Sequence, residues 1–519
     1  MRSTFHGLET AKRSLFTQQT ALHTTGHNIA NANTVGYSRQ VVNMVASRPM
    51  EAVGMSRSQV PGQLGTGVEF SSITRIRERF LDDQYRNENK SLGSWTIQKD
   101  TLEKLETIMN EPSETGLRSV IDNFWKAWSD LSKDPENITS RKIVRETAIA
   151  LADAFNLTAK QLNDLSNDLT ENIAVKTTEI NSIVSAIANL NWQIQRLEGL
   201  GNNANDLRDQ RDLLTDQLSR IVNITVQETP QGYTINMGNI NLVDGQQAAV
   251  LTADALEDAF ASGDLNSGEI YGLIVSRDRY VADYKNQLDQ MANAIANGPV
   301  TITIPAGTVL PEGTVLNGIT YTGANRTLTS DLTVTVNGLN GLHRLGYTLE
   351  SPLSAGVDFF TAKPGYSTIT AESFQLNPVI ANDPTKIATS MRTEGTGADE
   401  RVIKGNNQLA LLISQLRETP FTFTGPGSVI SSGTIDDYFR SVVGQLGVQA
   451  QEANRQADNQ QIILNQVEMR RQSVSSVSLD EEMANLIRFQ HAYNAAARNM
   501  TAIDEMLDRI INGMGIVGR

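Results

Sequence analysis

Residues 169–197 read LTENIAVKTTEINSIVSAIANLNWQIQRL. Leu169, Ile173, Ile180, Ile183, Ile187, Leu190, Ile194 and Leu197 fall on alternating four- and three-residue steps, interrupted at Lys176. That spacing draws apolar side chains into one stripe along a helix and predicts a long, coiled-coil-like element that must pack along its length. Gly199 to Asn203 supply a turn, and NDLRDQRDLLTDQLSRIV (205–222) resumes the pattern at Leu207, Leu214, Leu218 and Ile221, so two antiparallel helices are predicted.

Helical patterning also occupies both ends of the chain. Leu8, Leu15, Leu22 and Ile29 recur every seven residues and stop at Asn31 to Gly36, where Asn and Gly can end a helix. Towards the other end, Val442 to Val474 reads as helix, followed by Leu479, Met483, Leu486, Gln490, Tyr493, Ala497, Met500, Asp504, Leu507, Ile511 and Met514 in four-three spacing. Between these ends, Met50 to Phe70 reads as an extended Gly- and Pro-containing linker, and helix resumes from about Ile76 to Leu105. A helix carrying Trp125 and Trp128 lies between Pro112 and Pro135. Alternation with turn signals marks β material at 223–245 (NITVQETPQGYTINMGNINLVDG) and 300–338, separated by a helix around Tyr280 to Ala296. A further short helix is predicted near Gln408 to Leu416.

The expected fold class is mainly α with β insertions: terminal helices forming a coiled-coil-like segment, a long-helix bundle and a nested β-rich region. The expected division is an N-terminal helical segment (1–45), a linker and bundle with a short β region at about 221–250 (46–297), a β-rich and irregular region (298–435), a returning helix (436–478) and a C-terminal helix (479–519). A nested chain of this kind brings its two ends together.

The 519 residues are too many for one ordinary core, and 39% hydrophobic against 6% aromatic content favours helices packed by Leu, Ile and Ala over deep aromatic-lined pockets. A formal charge of −14 repels phosphate backbones and anionic lipid, so nucleic acid is not an expected partner, and no stretch approaches the roughly 18 apolar residues of a membrane span, so membrane insertion is not expected. With no cysteine, thiolate metal sites, disulfides and thiol chemistry are excluded. The N-terminal stretch lacks the apolar run of a cleaved signal peptide.

Chemistry-bearing patterns are few. His6, His23, His27, His343 and His491 include one i, i+4 pair, His23 and His27, with no third ligand in view, so that pair reads as two exposed histidines on a polar helix face and no metal site is expected. Gly65-Thr66-Gly67 lacks the third glycine of a dinucleotide loop, and neither a phosphate loop nor a serine elbow occurs. No catalytic residue and no cofactor are assigned. Asp206, Arg208, Asp209, Arg211 and Asp212 read as a solvated helix face with an Arg208–Asp212 ion pair. The first sixty residues are basic, with Arg2, Lys12, Arg13, Arg39, Arg48 and Arg57 against Glu9 and Glu51, whereas the segment from Leu479 has six acids against four arginines. The ends are therefore complementary and suited to pairing or to stacking between subunits.

Gly7-Leu8, then Asn28-Ile29-Ala30-Asn31-Ala32-Asn33-Thr34 and Gly36-Tyr37, resemble the N-terminal signature of the bacterial flagellar rod, hook and hook-associated axial proteins. Ser478 to Met483, Asn485 to Ile487, Phe489-Gln490, Ala492-Tyr493 and Asp504 to Leu507 resemble the matching C-terminal signature. Tyr37 to Gln40, Asn205-Asp206-Leu207-Arg208-Asp209-Gln210-Arg211-Asp212 and Asn337 to Tyr347 look like the hook-associated members in particular.

The resemblance implies a structural subunit at the hook–filament junction, needed for flagellum assembly and motility and exported unfolded without a cleaved signal. It implies as partners the hook protein, the second junction protein, copies of itself and a flagellar export chaperone on the C-terminal helix. The assembly interface is expected along Leu8, Leu15, Leu22, Ile29, Met483, Leu486, Tyr493, Met500, Leu507 and Ile511. The alternatives are a hook or distal rod subunit, whose middle would be mostly β, and a secreted enzyme carried in the β insertion.

Overall fold

The computed structural model describes residues 5–49, 64–109 and 116–513, apart from residue 426 and the side chain of residue 398. Thirteen helices and sixteen strands follow one another there. The helices include α1 (His6–Ala30), α2 (Arg79–Met109), α3 (Leu117–Lys133), α4 (Ile138–Glu198) and α5 (Asn205–Ile221). After α6 (Ala253–Ser262), α7 (Glu269–Val275) runs through a π-helical turn (Ser276–Val281) into α8 (Ala282–Asn297). The short α9 (Gly338–His343), α10 (Pro378–Asn382) and α11 (Gln408–Gln415) precede α12 (Ile435–Ser475) and α13 (Leu479–Gly513). The chain is thus mainly α with β insertions. No helix among the described residues is long and apolar enough to cross a membrane.

The 61-residue α4 is the element that the opening stretch predicts, extended backwards to Ile138. Leu169, Ile173, Ile180, Ile183, Ile187, Leu190 and Ile194 are all buried, while Leu197 is 39% exposed where the helix nears its turn. At the break in the stripe, Lys176 sends its ammonium to Glu179 at 2.9 Å and Glu269 at 2.8 Å, so the charge is paired where an apolar residue is missing.

One expectation fails near the N-terminus. The end of the presumed linker, Val68 to Phe70, opens a strand: β1 (Gln40–Ala46) and β2 (Val68–Arg75) form an antiparallel ribbon from Gln40 opposite Arg75 to Ala46 opposite Val68, with a bulge at Asn43/Met44. The bulge shifts the alternation by one position, and both strands are largely half-buried or exposed, so the period-two signal is blurred. Residues 50–63 of the presumed linker lie outside the described residues.

The chain divides into two compact units, one of residues 1–94, 174–271 and 458–519 and the other of 95–173 and 272–457. The first holds β1, β2 and a four-stranded antiparallel meander, β3 (Thr225–Thr229), β4 (Gly232–Met237), β5 (Ile240–Asp244) and β6 (Gln247–Ala248). The second holds β7 (Pro299–Ile304), β8 (Thr314–Leu316), β9 (Ile319–Tyr321), β10 (Leu332–Asn337), β11 (Phe360–Ala362), β12 (Phe374–Leu376), β13 (Thr393–Glu394), β14 (Arg401–Val402), β15 (Phe421–Thr422) and β16 (Ser432–Gly433). Its one four-stranded sheet runs β10-β7-β15-β16. The scarce aromatic residues are concentrated in this unit's core, where Phe124, Trp128, Phe155, Phe359, Phe360 and Phe374 form a chain of ring contacts with centroids 4.3–6.1 Å apart.

The block Asn337 to Tyr347 supplies this unit's buried polar ties. Asn340 donates to Phe360 O at 2.9 Å and accepts from Phe360 N at 2.8 Å. His343 is wholly buried. Its Nδ1 faces the Val357 carbonyl and its Nε2 accepts the Ala388 N–H at 2.8 Å, which defines a neutral ring protonated on Nδ1. Burial lowers its pKa from 6.5 to about 4. Between those values the unfolded chain binds the extra proton and the folded chain does not, so stability is complete above pH 6.5 and falls towards pH 4. The loss is expected to reach about 3 kcal/mol, at ~1.4 kcal/mol per pKa unit. Urea titrations at several pH values, compared with a His343→Gln variant, check this: the variant should lack that part of the slope.

Candidate assembly interface

Helices α1 and α13 pack against each other, antiparallel. Gly7 lies so near Ile503 that a Cβ there would meet Ile503 Cδ1 at 2.9 Å, and at the other end Asn28 reaches Glu482 at 3.0 Å. The face of α13 that is buried or half-buried includes Glu482, Leu486, Phe489, Tyr493, Ala496, Met500, Ile503 and Leu507. Among the residues expected at an interface, Leu486, Tyr493, Met500 and Leu507 lie on that face, whereas Met483 and Ile511 are 52% and 65% exposed. Leu8, Leu15, Leu22 and Ile29 are half-buried along α1.

The ribbon β1–β2 also packs on α1. His6 Nε2 donates to Gly65 O at 3.1 Å, and Thr17 Oγ1 to Val68 O at 3.4 Å. Gly67, at φ 103°, approaches Thr10 closely enough that a Cβ would lie 3.1 Å from its Cγ2. Close backbone approach, not phosphate binding, is the physical use of the Gly65-Thr66-Gly67 run.

The N-terminal signature converges where α1 ends. Asn28 is 1% exposed and uses its whole hydrogen-bonding capacity. Its Nδ2 donates to Gln40 O at 2.9 Å and Glu482 Oε2 at 3.0 Å, and its Oδ1 accepts from Tyr37 Oη at 2.7 Å and Gln40 N at 3.0 Å. Gly36, at φ 82°, turns the chain tightly beside Leu213. Asn31 donates to His27 O, while Ala30 and Asn33 are exposed. His27 Nε2 is 3.3 Å from Asp206 Oδ1 and its Nδ1 faces the Asn31 amide, and His23 is exposed. Gln490 lies on the exposed side of α13.

Helix α5 overturns its own reading. Asp209, Arg211 and Asp212 are 5%, 1% and 1% exposed, so the cluster is a buried charge lattice and not a solvated face. Arg75 Nη1 contacts Asp209 at 2.6 Å and Asp212 at 2.9 Å, Arg77 grips Asp82 with two bonds of 2.7 and 2.9 Å, and Arg86 Nε reaches Asp216 at 2.8 Å. Arg471 joins on Asp216, Tyr233 Oη donates to Asp212, and Ser38 N–H donates to Asp209 at 2.9 Å. Arg208 does not pair with Asp212; it pairs with Glu198 at 2.6 Å and Glu228 at 2.8 Å. Arg211 lies 3.5 Å over the Tyr233 ring and donates to Asn191 on α4 at 3.0 Å, which with the Arg208–Glu198 pair fixes α5 antiparallel to the end of α4. Leu207 is half-buried, and the exposed Asp206 accepts from Gln40 Nε2 at 2.7 Å.

Burial alone would push the Asp212 carboxyl up, but the Arg77, Arg75 and Arg86 guanidiniums and the Tyr233 hydroxyl outweigh it and hold it well below the usual carboxylate range. Arg75, Arg77, Arg86 and Arg471 were not singled out from the sequence. The available signal was the acid stripe Asp209, Asp212 and Asp216 at helical spacing, opposite a basic run at Arg75, Arg77 and Arg79.

Three family models match this chain: "Flagella basal body rod protein" over residues 8–37, "Flagellar hook-associated protein FlgK helical domain" over 102–299, and "Flagellar basal body rod FlgEFG protein C-terminal" over 471–513. The Bacillus subtilis (strain 168) protein named "Flagellar hook-associated protein 1" is 34% identical, covering 100% of both chains. The chain belongs to the flagellar hook-associated protein 1 family. The Escherichia coli K12 member is 27% identical, covering 97% of this chain and 99% of its own, and the Salmonella typhimurium member is 25% identical, covering 97% and 98%. A solved chain titled "The structure of the flagellar hook junction protein FlgK from Burkholderia pseudomallei" is 15% identical with a TM-score of 0.48, covering 77% of this chain and 100% of that one.

This hook-associated protein is accordingly a structural component of the bacterial flagellum, which removes the hook and rod alternatives. The rod-protein models reach only its two ends, where α1 and α13 pair.

Proposed function

We propose that the chain is the subunit at the hook–filament junction, joining copies of itself to hook protein on one side and a second junction protein on the other. The observation that supports this reading is the α1–α13 pair, which is packed on one side and still exposes large apolar residues elsewhere: Phe16 on α1, and Leu479, Met483, Ile487, Met506, Ile510 and Ile511 on α13, at 50–65% exposure. Side chains of this size left open along paired helices suit coverage by neighbouring subunits. A heterologous contact repeated from subunit to subunit then gives helical order.

In this reading Leu8, Leu15, Leu22, Ile29, Leu486, Tyr493, Met500 and Leu507 shape the pair, and Met483 and Ile511 face its neighbours. Before export the same stripe of α13 is a hazard for self-association, so a cytoplasmic export chaperone covers it as an amphipathic helix in a groove. The chain leaves the cell through the flagellar export apparatus, and no catalysis is assigned to it.

Deleting the gene in its own bacterium should leave hooks of normal length without filaments, with flagellin free in the medium. Electron micrographs of sheared cells and immunoblots of culture fluid read both results. Full-length filaments on the deletion strain would overturn the junction assignment.

A further inference from the structure

We propose that Arg39 is the positioning residue of the terminal helix pair, a pin that sets the direction in which α13 leaves α12. This concerns the folded chain alone and holds wherever in the flagellum the subunit is placed. Helix α12 ends at Ser475 and α13 begins at Leu479, so only residues 476–478 join them. The hydrogen bonds of this elbow close each helix separately: Ser476 N–H donates to Gln472 O at 2.9 Å, and Glu482 N–H to Ser478 O at 2.9 Å. Bonds of this kind fix the helix ends but leave the angle between the helices open.

Arg39 touches both sides of the elbow. Its backbone N–H donates to Ser475 O, the last carbonyl of α12, at 2.9 Å. Its guanidinium holds the first turn of α13, with Nη1 on Glu481 at 2.7 Å, and Nε and Nη2 on Glu482 at 2.9 and 2.8 Å. Glu482 is 2% exposed, and its other carboxylate oxygen is held by Asn28 of α1. The pin is itself fixed, because Arg39 O accepts Ile76 N–H at 2.8 Å where β1 and β2 begin and end. One residue therefore ties the end of α12, the start of α13 and the ribbon that packs on α1.

Loss of the pin should free the angle without unfolding the helix. Asp480, Glu481 and Glu482 stand in the first turn of α13, where carboxylates favour the helix N-terminus whether or not Arg39 is present. Lysine at position 39 keeps the charge and the backbone bonds but cannot form the planar fork, so it should hold the angle less tightly than arginine.

The absence of cysteine allows a direct test. Cysteines introduced together at the exposed Gln461 on α12 and Arg498 on α13 of the full chain carry spin labels, and pulsed dipolar spectroscopy reads the distance between them. The expected result is one narrow distribution in the parent, about twofold wider in Arg39→Ala, intermediate in Arg39→Lys and near parental in Glu481→Ala, at unchanged helical circular dichroism. A distribution in Arg39→Ala as narrow as the parent's overturns the proposal. If Arg39→Ala loses helical signal, Arg39→Lys and Glu482→Gln decide, and parental widths in both overturn it.

Discussion

Replacing Asp212 with Ala should destabilise the unit that contains α5 by about 3–5 kcal/mol, the range for removing one partner of a buried ion pair. Asp212 is 1% exposed and faces Arg75 at 2.9 Å, Arg77 at 3.6 Å and Arg86 at 3.6 Å. Its removal leaves three guanidiniums with less negative charge than they need, in surroundings where water cannot compensate them. Domains are stable by roughly 5–15 kcal/mol, so the variant would stand close to unfolding at ordinary temperature. The same substitution at Arg208, whose ion pairs are partly exposed, should cost about 1 kcal/mol or less. Urea denaturation followed by circular dichroism separates the two, and equal midpoints would refute the lattice as a stabilising core.

The acid side carries a second signature of this lattice. The Asp212 carboxyl sits far below its ordinary value of 3.8, so its contribution is present above that pH and is lost only as pH falls well beneath it. The wild-type chain should therefore keep this part of its stability at pH 4, while the His343 contribution has already declined.

Replacing Asn28 with Asp is expected to be more damaging than replacing it with Ala, although Asp has the nearer shape. The amide donates to Glu482 at 3.0 Å, so an aspartate would set two carboxylates against each other in a buried place. Each orphaned buried partner costs about 1–3 kcal/mol, and the Ala variant takes their Asn28 bond from Tyr37 Oη, Gln40 N–H and Gln40 O, while Glu482 keeps Arg39. The Asp variant adds repulsion that a shared proton relieves, since one carboxyl of such a pair has a raised pKa. Its folded state then binds a proton that the unfolded chain does not, so its deficit should be largest at pH 8 and shrink towards pH 5, whereas the Ala deficit should stay level. Melting curves at the two pH values test this, and parallel behaviour of the two variants would contradict the assigned geometry.

The long helices were legible in the sequence. Periodicity is a local property, so the stripe from Leu169 to Ile194, the seven-residue repeat of α1 and the run from Leu479 are visible without any neighbour, and most of α4's stripe is buried as the spacing requires. The end motifs carried enough identity to place the chain among flagellar axial proteins. What the motif residues do was not legible, because Asn28 acts through Glu482, 454 positions away, and Asp212 through Arg75, 137 positions away. A charged residue on a helix looks the same in sequence whether it meets water or an arginine from a distant segment. Only the tertiary structure decided that Asp209 and Asp212 are core, that the bulged β1–β2 ribbon supports α1, and that Glu482 and Ile503 stand on the packed side of α13 while Met483 and Ile511 are left open.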